Sequence, residues 1–305
     1  MSTLRLIPVP GSAPEDVVVL PDGRIATGLA DGRLVAIDVG SGEAEVLADT
    51  AGHLLGLDAR ADGSIVICDH DRGLLLLEAG RRRATVLADT VDGRPLHFAS
   101  NAATASDGSV YFTTSSQRFT IDRWRADLIE HSGTGRLCRR LPDGGVEVLL
   151  GGLQFANGVV LAPDETYALV AETGGARITR YWLTGERAGS SEVFVYDLPG
   201  YPDNMAVGSD GLVWVALASP RNSVLESMFK LPLRARKILA RAPERIGPAP
   251  EETVRVLGIG FDGTIVHDVR RDHPEFSFVT GVAERDGVLY LGTILHDAIG
   301  VLPVD

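Results

Sequence analysis

A short pattern returns six times along this chain: an apolar run, a tight acidic turn, then a second apolar run. The copies read EDVVVLPDGRIATG, GLDARADGSIVICD, NAATASDGSVYFTT, NGVVLAPDETYALVAE, DNMAVGSDGLVWVAL and TGVAERDGVLYLGT. Their turns fall at Asp22-Gly23, Asp62-Gly63, Asp107-Gly108, Asp164-Glu165, Asp210-Gly211 and Asp286-Gly287. Asp-Gly between apolar runs is a strong hairpin signal, because glycine enters the left-handed turn conformation without steric cost. Further strand-like runs follow the hairpins, such as RLVAID and AEVLAD after the first. Each unit therefore reads as a four-stranded blade, and the chain as an all-β, six-bladed β-propeller. The last unit has three clear strands, FVTGVAE, VLYLGTI and AIGVLPV. The N-terminal run LRLIPV supplies its fourth and closes the ring, giving one domain over residues 1–305.

Successive turns are 40, 45, 57, 46 and 76 residues apart. The excess falls in two insertions, near 115–133 and 219–247, each after the second strand of its blade. The first reads as a long loop or short helix, the second as a helix broken at Pro232. Insertions at one corresponding place in a repeat lie over one face, where loops carry binding specificity.

The net charge of −12 argues against nucleic acid and against an anionic membrane surface as partners. The N-terminus lacks the basic-then-apolar order of a signal peptide, and no apolar stretch approaches the ~20 residues that span a bilayer. The expected compartment is the cytoplasm. Cys68 and Cys138 stand in strands without metal-type spacing and read as reduced core thiols.

Four units open with an oxygen-bearing residue: Glu15, Asn101, Asn157 and Asp203. In a propeller the innermost strands line the central channel, so their first residues gather at one mouth. Two carboxylates and two amide carbonyls are hard ligands suited to one divalent cation, Ca²⁺ foremost, with Mg²⁺, Mn²⁺ or Zn²⁺ as alternatives. The plainer reading of each is a strand or turn cap. Asp16 and Asn204 adjoin these candidates as supporting groups or further ligands. His53, His70 and His97 flank inner strands and are candidates for the channel mouth, His70 with a proton-transfer role. Tyr201, Phe98 and Phe119 serve equally as pocket walls or core.

The phrases LQFANGVVLAPDETYALVAET, RITRYWLTG and LPGYPDNMAVGSDGLVWVAL resemble the strictosidine-synthase-like family. That family is part of a calcium-dependent propeller superfamily with paraoxonases and the gluconolactonase/regucalcin group. The resemblance covers nearly the whole chain, with ANGV and PGYPDN its most specific parts. It implies a catalytic metal on Glu15, Asn101, Asn157 and Asp203, with Asn204 as a possible further ligand. It places His70 at one position of the paraoxonase histidine dyad, with Leu55 at the other. Ala102 replaces the Asp that paraoxonases use for a second, structural ion. Thr280 stands where strictosidine synthase has its catalytic Glu, so amine condensation is not expected.

The resulting expectation is a metal-dependent hydrolase of a lactone or related small ester. The metal would act as Lewis acid and Asp203 or His70 as base. His53, His97, Phe119 and Thr280 would contact the substrate, and the insertions, with Phe119, Trp124 and Met228, would roof the pocket. Alternatives are a phosphotriesterase-type hydrolase, a non-catalytic ligand- or protein-binding propeller, and a synthase or lyase.

Overall fold

The computed structural model describes residues 3–242 and 251–304. Among them, six four-stranded antiparallel sheets follow one another along the chain, and each is a blade. Their innermost strands are Val17–Val19, Leu54–Ala59, Ala99–Thr104, Ala156–Leu161, Gly200–Val207 and Val279–Arg285. Blades 1 to 5 run outward in chain order, and blade 6 takes its outermost strand from the other end of the molecule. There Arg5–Pro8 pairs antiparallel with Ala298–Pro303, matching Arg5 with Val301 and Pro8 with Ala298. The closure expected from the sequence is thus observed.

The acidic turns explain the repetition locally. The Asp22 and Asp210 carboxylates accept the N–H two residues on, from Arg24 and Leu212, both at 3.0 Å. Gly23 then takes a φ of 88°, which side chains disfavour. The fourth turn has Glu165 in left-handed conformation, and its carboxylate accepts the N–H and hydroxyl of Ser106 at 2.7 and 2.8 Å. The residue that departs from the repeat therefore bonds blade 4 to blade 3.

A sheet must bury its apolar faces against other elements. Six buried apolar clusters do this, one in each gap between neighbouring blades. Trp214, wholly buried, fills the gap between blades 5 and 6. Cys68 and Cys138 are free and buried between blades 2 and 3.

Both insertions leave their blades after the second strand, as expected. The first carries helix α1, Trp124–Glu130, after a 3₁₀ turn. The second carries α2, Ser223–Phe229, and α3, Leu233–Leu239. Pro232 sits between them as the α3 N-cap, so the break falls where proline cannot continue a helix. Residues 243–247 of the expected insertion lie outside the described residues. Among the described residues no helix is long and apolar enough to cross a membrane.

Candidate metal and substrate site

Five of the six inner strands reach the channel mouth through a break in their ladder. In blades 2 to 6, two consecutive residues oppose one residue of the next strand: Leu55 and Gly56, Ser100 and Asn101, Asn157 and Gly158, Asp203 and Asn204, Thr280 and Gly281. In blade 1, Glu15 and Asp16 immediately precede the inner strand. A bulge interrupts strict alternation and re-aims side chains. The first residue of every pair, from Glu15 to Thr280, lines one cavity at the mouth.

In blades 1 and 3 the second residue bonds the following blade. Asp16 accepts the Leu57 N–H at 2.9 Å, and Asn101 accepts the Val159 N–H at 3.1 Å. In blades 2, 4 and 6 this place is glycine. A Cβ would lie 2.4 Å from the Ser100 carbonyl oxygen at Gly56, 2.5 Å from the Met205 nitrogen at Gly158 and 2.6 Å from Asp16 Cα at Gly281.

Three buried carboxyl groups meet beneath the mouth: Glu15, Asp16 and Asp203. Burial raises the pKa of Glu15, and repulsion from Asp203 and Asp16 raises it further. Burial raises Asp203 likewise, with Asp16 adding repulsion. Asp16 is pushed up to about 7, chiefly by burial, against the lowering effect of the Leu57 and Val17 N–H groups. Around them the polar groups are held firmly. Asn204 Nδ2 donates to Glu15 Oε1 at 3.0 Å, Ser100 Oγ to Asn157 Oδ1 at 2.9 Å, and Thr280 Oγ1 to the Glu15 carbonyl at 2.7 Å.

The walls come from residues two places ahead of the pairs: Phe98, Phe155, Tyr201 and Phe278. The three phenylalanines have φ of 58°, 59° and 57°. A bulky residue rarely adopts that conformation, and such strain persists where the surroundings demand it, often at functional sites. The roof docks through two small clusters. One joins Leu55, Phe98, Leu128 and Phe155 with Ile121 and Trp124; the other joins Ala176, Tyr201 and Leu225 with Ile129 and Phe229. The cavity measures ≈ 160 Å³.

Of the residues expected at this site, Glu15, Asn157, Asp203 and Thr280 line the cavity, as do Trp124 and Met228 of the expected roof. Asn101 does not. Its amide is committed to Val159 and to Asp16, which accepts from Asn101 Nδ2 at 3.1 Å, and Ser100 takes the place facing the mouth. The residue Asn101 matches in its neighbours is Asp16 or Asn204, not Glu15. His70 is also displaced: it is buried outside the lining, its ring edge-on to Phe98 at 5.2 Å. Burial lowers its pKa and that of His53. His53, His97 and Phe119 line no part of the cavity either; Phe119 packs instead against the Arg118 guanidinium, 5.5 Å from its ring. Phe155 and Phe278 were not anticipated, yet an aromatic residue two places before the pair recurs in four units.

Among the described residues, no three His, Cys, Asp or Glu side chains group as a metal site. The donor set is instead mixed carboxylate and amide. Glu15 Oε2, Asp203 Oδ1 and Asn204 Oδ1 are buried without a hydrogen-bond partner. Unsatisfied buried oxygens are costly, and crowded buried acids need a proton or a cation to offset their charge. Hard oxygens of this kind fit a divalent cation of the Ca²⁺ type.

Comparison with known proteins follows the same lines. Residues 101–186 match the strictosidine synthase family model and residues 1–37 the strictosidine synthase-like N-terminal model. The chain is 33% identical over 298 residues to strictosidine synthase-like protein 6 of Arabidopsis thaliana, covering 94% of this chain and 78% of that one. It is 32% identical to the adipocyte plasma membrane-associated protein of Mus musculus, covering 92% and 73%. Among solved structures, a gluconolactonase from Xanthomonas campestris superposes with a TM-score of 0.71 at 16% identity, covering 100% and 90%. The calcium-binding regucalcin of Agrobacterium tumefaciens gives 0.65 at 16%, covering 99% and 94%. At such identities the structures share the fold.

Proposed function

The chain belongs to the strictosidine synthase-like family, and on that premise we propose that it is a metal-dependent hydrolase of lactones or related small esters. The observation that carries the reading is the set of orphaned oxygens on Glu15, Asp203 and Asn204 beside an apolar-walled cavity. Glu15, Asn157, Asp203 and Asn204 would hold the cation, with the Ser100 hydroxyl in the place first expected of Asn101. When bound, the cation supplies Lewis-acid polarisation of a carbonyl and stabilises charge developing on its oxygen. The Asp203 carboxylate is the group of this chain that accepts the proton of an attacking water. Phe98, Phe155, Tyr201 and Phe278 bind the apolar part of the substrate and exclude bulk water. The gluconolactonases that share the fold support the reaction class. Thr280 donates to a backbone carbonyl where a condensing synthase would need an acid, and Glu275 is exposed in the preceding loop, so condensation is disfavoured.

The test is a panel of γ- and δ-lactones, aryl esters and paraoxon, assayed with and without EDTA. Hydrolysis should vanish on chelation, return with Ca²⁺, and fall at least about a hundredfold in Asp203→Asn. Paraoxon turnover alone would redirect the reading to phosphotriesters. Metal binding without turnover of any substrate would leave a binding propeller.

A further inference from the structure

The outer side of the roof carries a surface that the hydrolase reading does not use. Between Ser219 and Ala242 stand Arg221, Lys230, Arg234, Arg236, Lys237 and Arg241 against a single acid, Glu226, a net charge of +5 on a chain of net −12. Two of these bases are engaged: Arg221 pairs with Asp197 and Glu226, and Arg236 donates to the Glu130 carbonyl at 2.7 Å. Lys230, Arg234, Lys237 and Arg241 bond to no acid among the described residues. Lys230, Arg234 and Arg241 are exposed.

Aliphatic side chains stand among them in water. Val224 is 55% exposed, Leu231 40%, Leu233 46% and Ile238 68%. On α3, Arg234, Lys237 and Ile238 fall at the spacing of one helix face. The opposite side faces inward, where Leu239 and Ala240 line the cavity. One short hairpin therefore presents bases and aliphatics outward together.

We propose that this roof docks on anionic phospholipid membranes, setting the cavity at headgroup level. Charge complementarity selects the partner: the bases meet lipid phosphates and carboxylates, while Leu231, Leu233 and Ile238 enter the boundary beneath them. The net charge of the whole chain conceals this local excess of bases, because screening limits the reach of more distant acids to about a Debye length.

The test uses the full chain and sedimentation with large unilamellar vesicles, either pure phosphatidylcholine or containing phosphatidylserine. Binding should require phosphatidylserine and weaken in about 0.5 M salt. Lys230→Gln and Arg234→Gln should each lower the partition coefficient about fivefold, and Ile238→Ser should lower it further. An unchanged melting temperature in these surface variants shows that the fold is intact. The proposal is overturned if vesicles of both compositions fail to bind at low salt. It is also overturned if the variants bind like wild type. Loss of a dimer in these variants, without vesicle binding, would identify the surface as a self-contact and overturn it too. The readout needs no catalysis, so it stands or falls apart from the hydrolase reading.

Discussion

In the second place of the pair at the channel mouth, blades 1, 3 and 5 carry Asp16, Asn101 and Asn204, whereas blades 2, 4 and 6 carry Gly56, Gly158 and Gly281. Odd blades supply the polar side chain, and even blades supply room for the strand beside them. Asp16 and Asn101 each hold the first N–H beyond the next blade's bulge. Asn204, third in the series, instead reaches Glu15 and leaves its carbonyl oxygen free. The departure falls where the orphaned oxygens gather. Neighbouring residues thus divide the labour: one secures the ring while the other faces the cavity.

The glycine side of this contrast is the easiest to break. Gly158→Ala places a Cβ 2.5 Å from the Met205 nitrogen and 2.7 Å from the Asp203 carbonyl oxygen, both backbone. It should cost about 3 kcal/mol or more in urea unfolding. Gly151→Ala, with nothing within 4 Å, should be near neutral. An unshifted midpoint for Gly158→Ala would mean the inner strands part freely.

Next comes the polar side. Asp16→Ala strands the Leu57 N–H and the Asn101 amide and should cost about 3 kcal/mol. The same carboxyl predicts a pH dependence. Below about pH 4 both folded and unfolded chains hold its proton. Between about 4 and about 7 only the folded chain does, so stability falls as pH rises and levels off above that. Glu15 and Asp203, also raised, add in the same direction. Chelated protein should melt at a lower temperature at pH 8 than at pH 5, and Asp16→Asn should flatten the slope. A rising profile would contradict the assignment.

The two asparagines sharpen the division within a bulge. Asn101→Ala should lower stability by about 2 kcal/mol and leave ester turnover within about tenfold of wild type. Asn157→Ala should lower turnover about a hundredfold with the smaller stability loss. The reverse pattern would return Asn101 to the cation.

Much of this was legible in the chain. The acidic turns gave the blades, and the incomplete last unit with LRLIPV gave the closure, because hairpin and strand signals are local. Trp124 and Met228 line the cavity, as two insertions at one position of the repeat allow. His70 does not, and its ring packs against Phe98 of another blade. Phe155 and Phe278 were hidden by their resemblance to ordinary core residues.

By itself, then, the sequence determined how many blades form, how the ring closes and which stretches of each inner strand reach the mouth. Hydrophobic alternation and turn chemistry act over a few residues. Only the tertiary structure decided which member of Ser100-Asn101 faces the cavity, or that Leu55 rather than Gly56 does so in blade 2. A bulge suspends the alternation from which a side chain's direction is read. What replaces it is the backbone of the next blade, near enough to admit a glycine at one bulge and to bond an Asp or Asn at another.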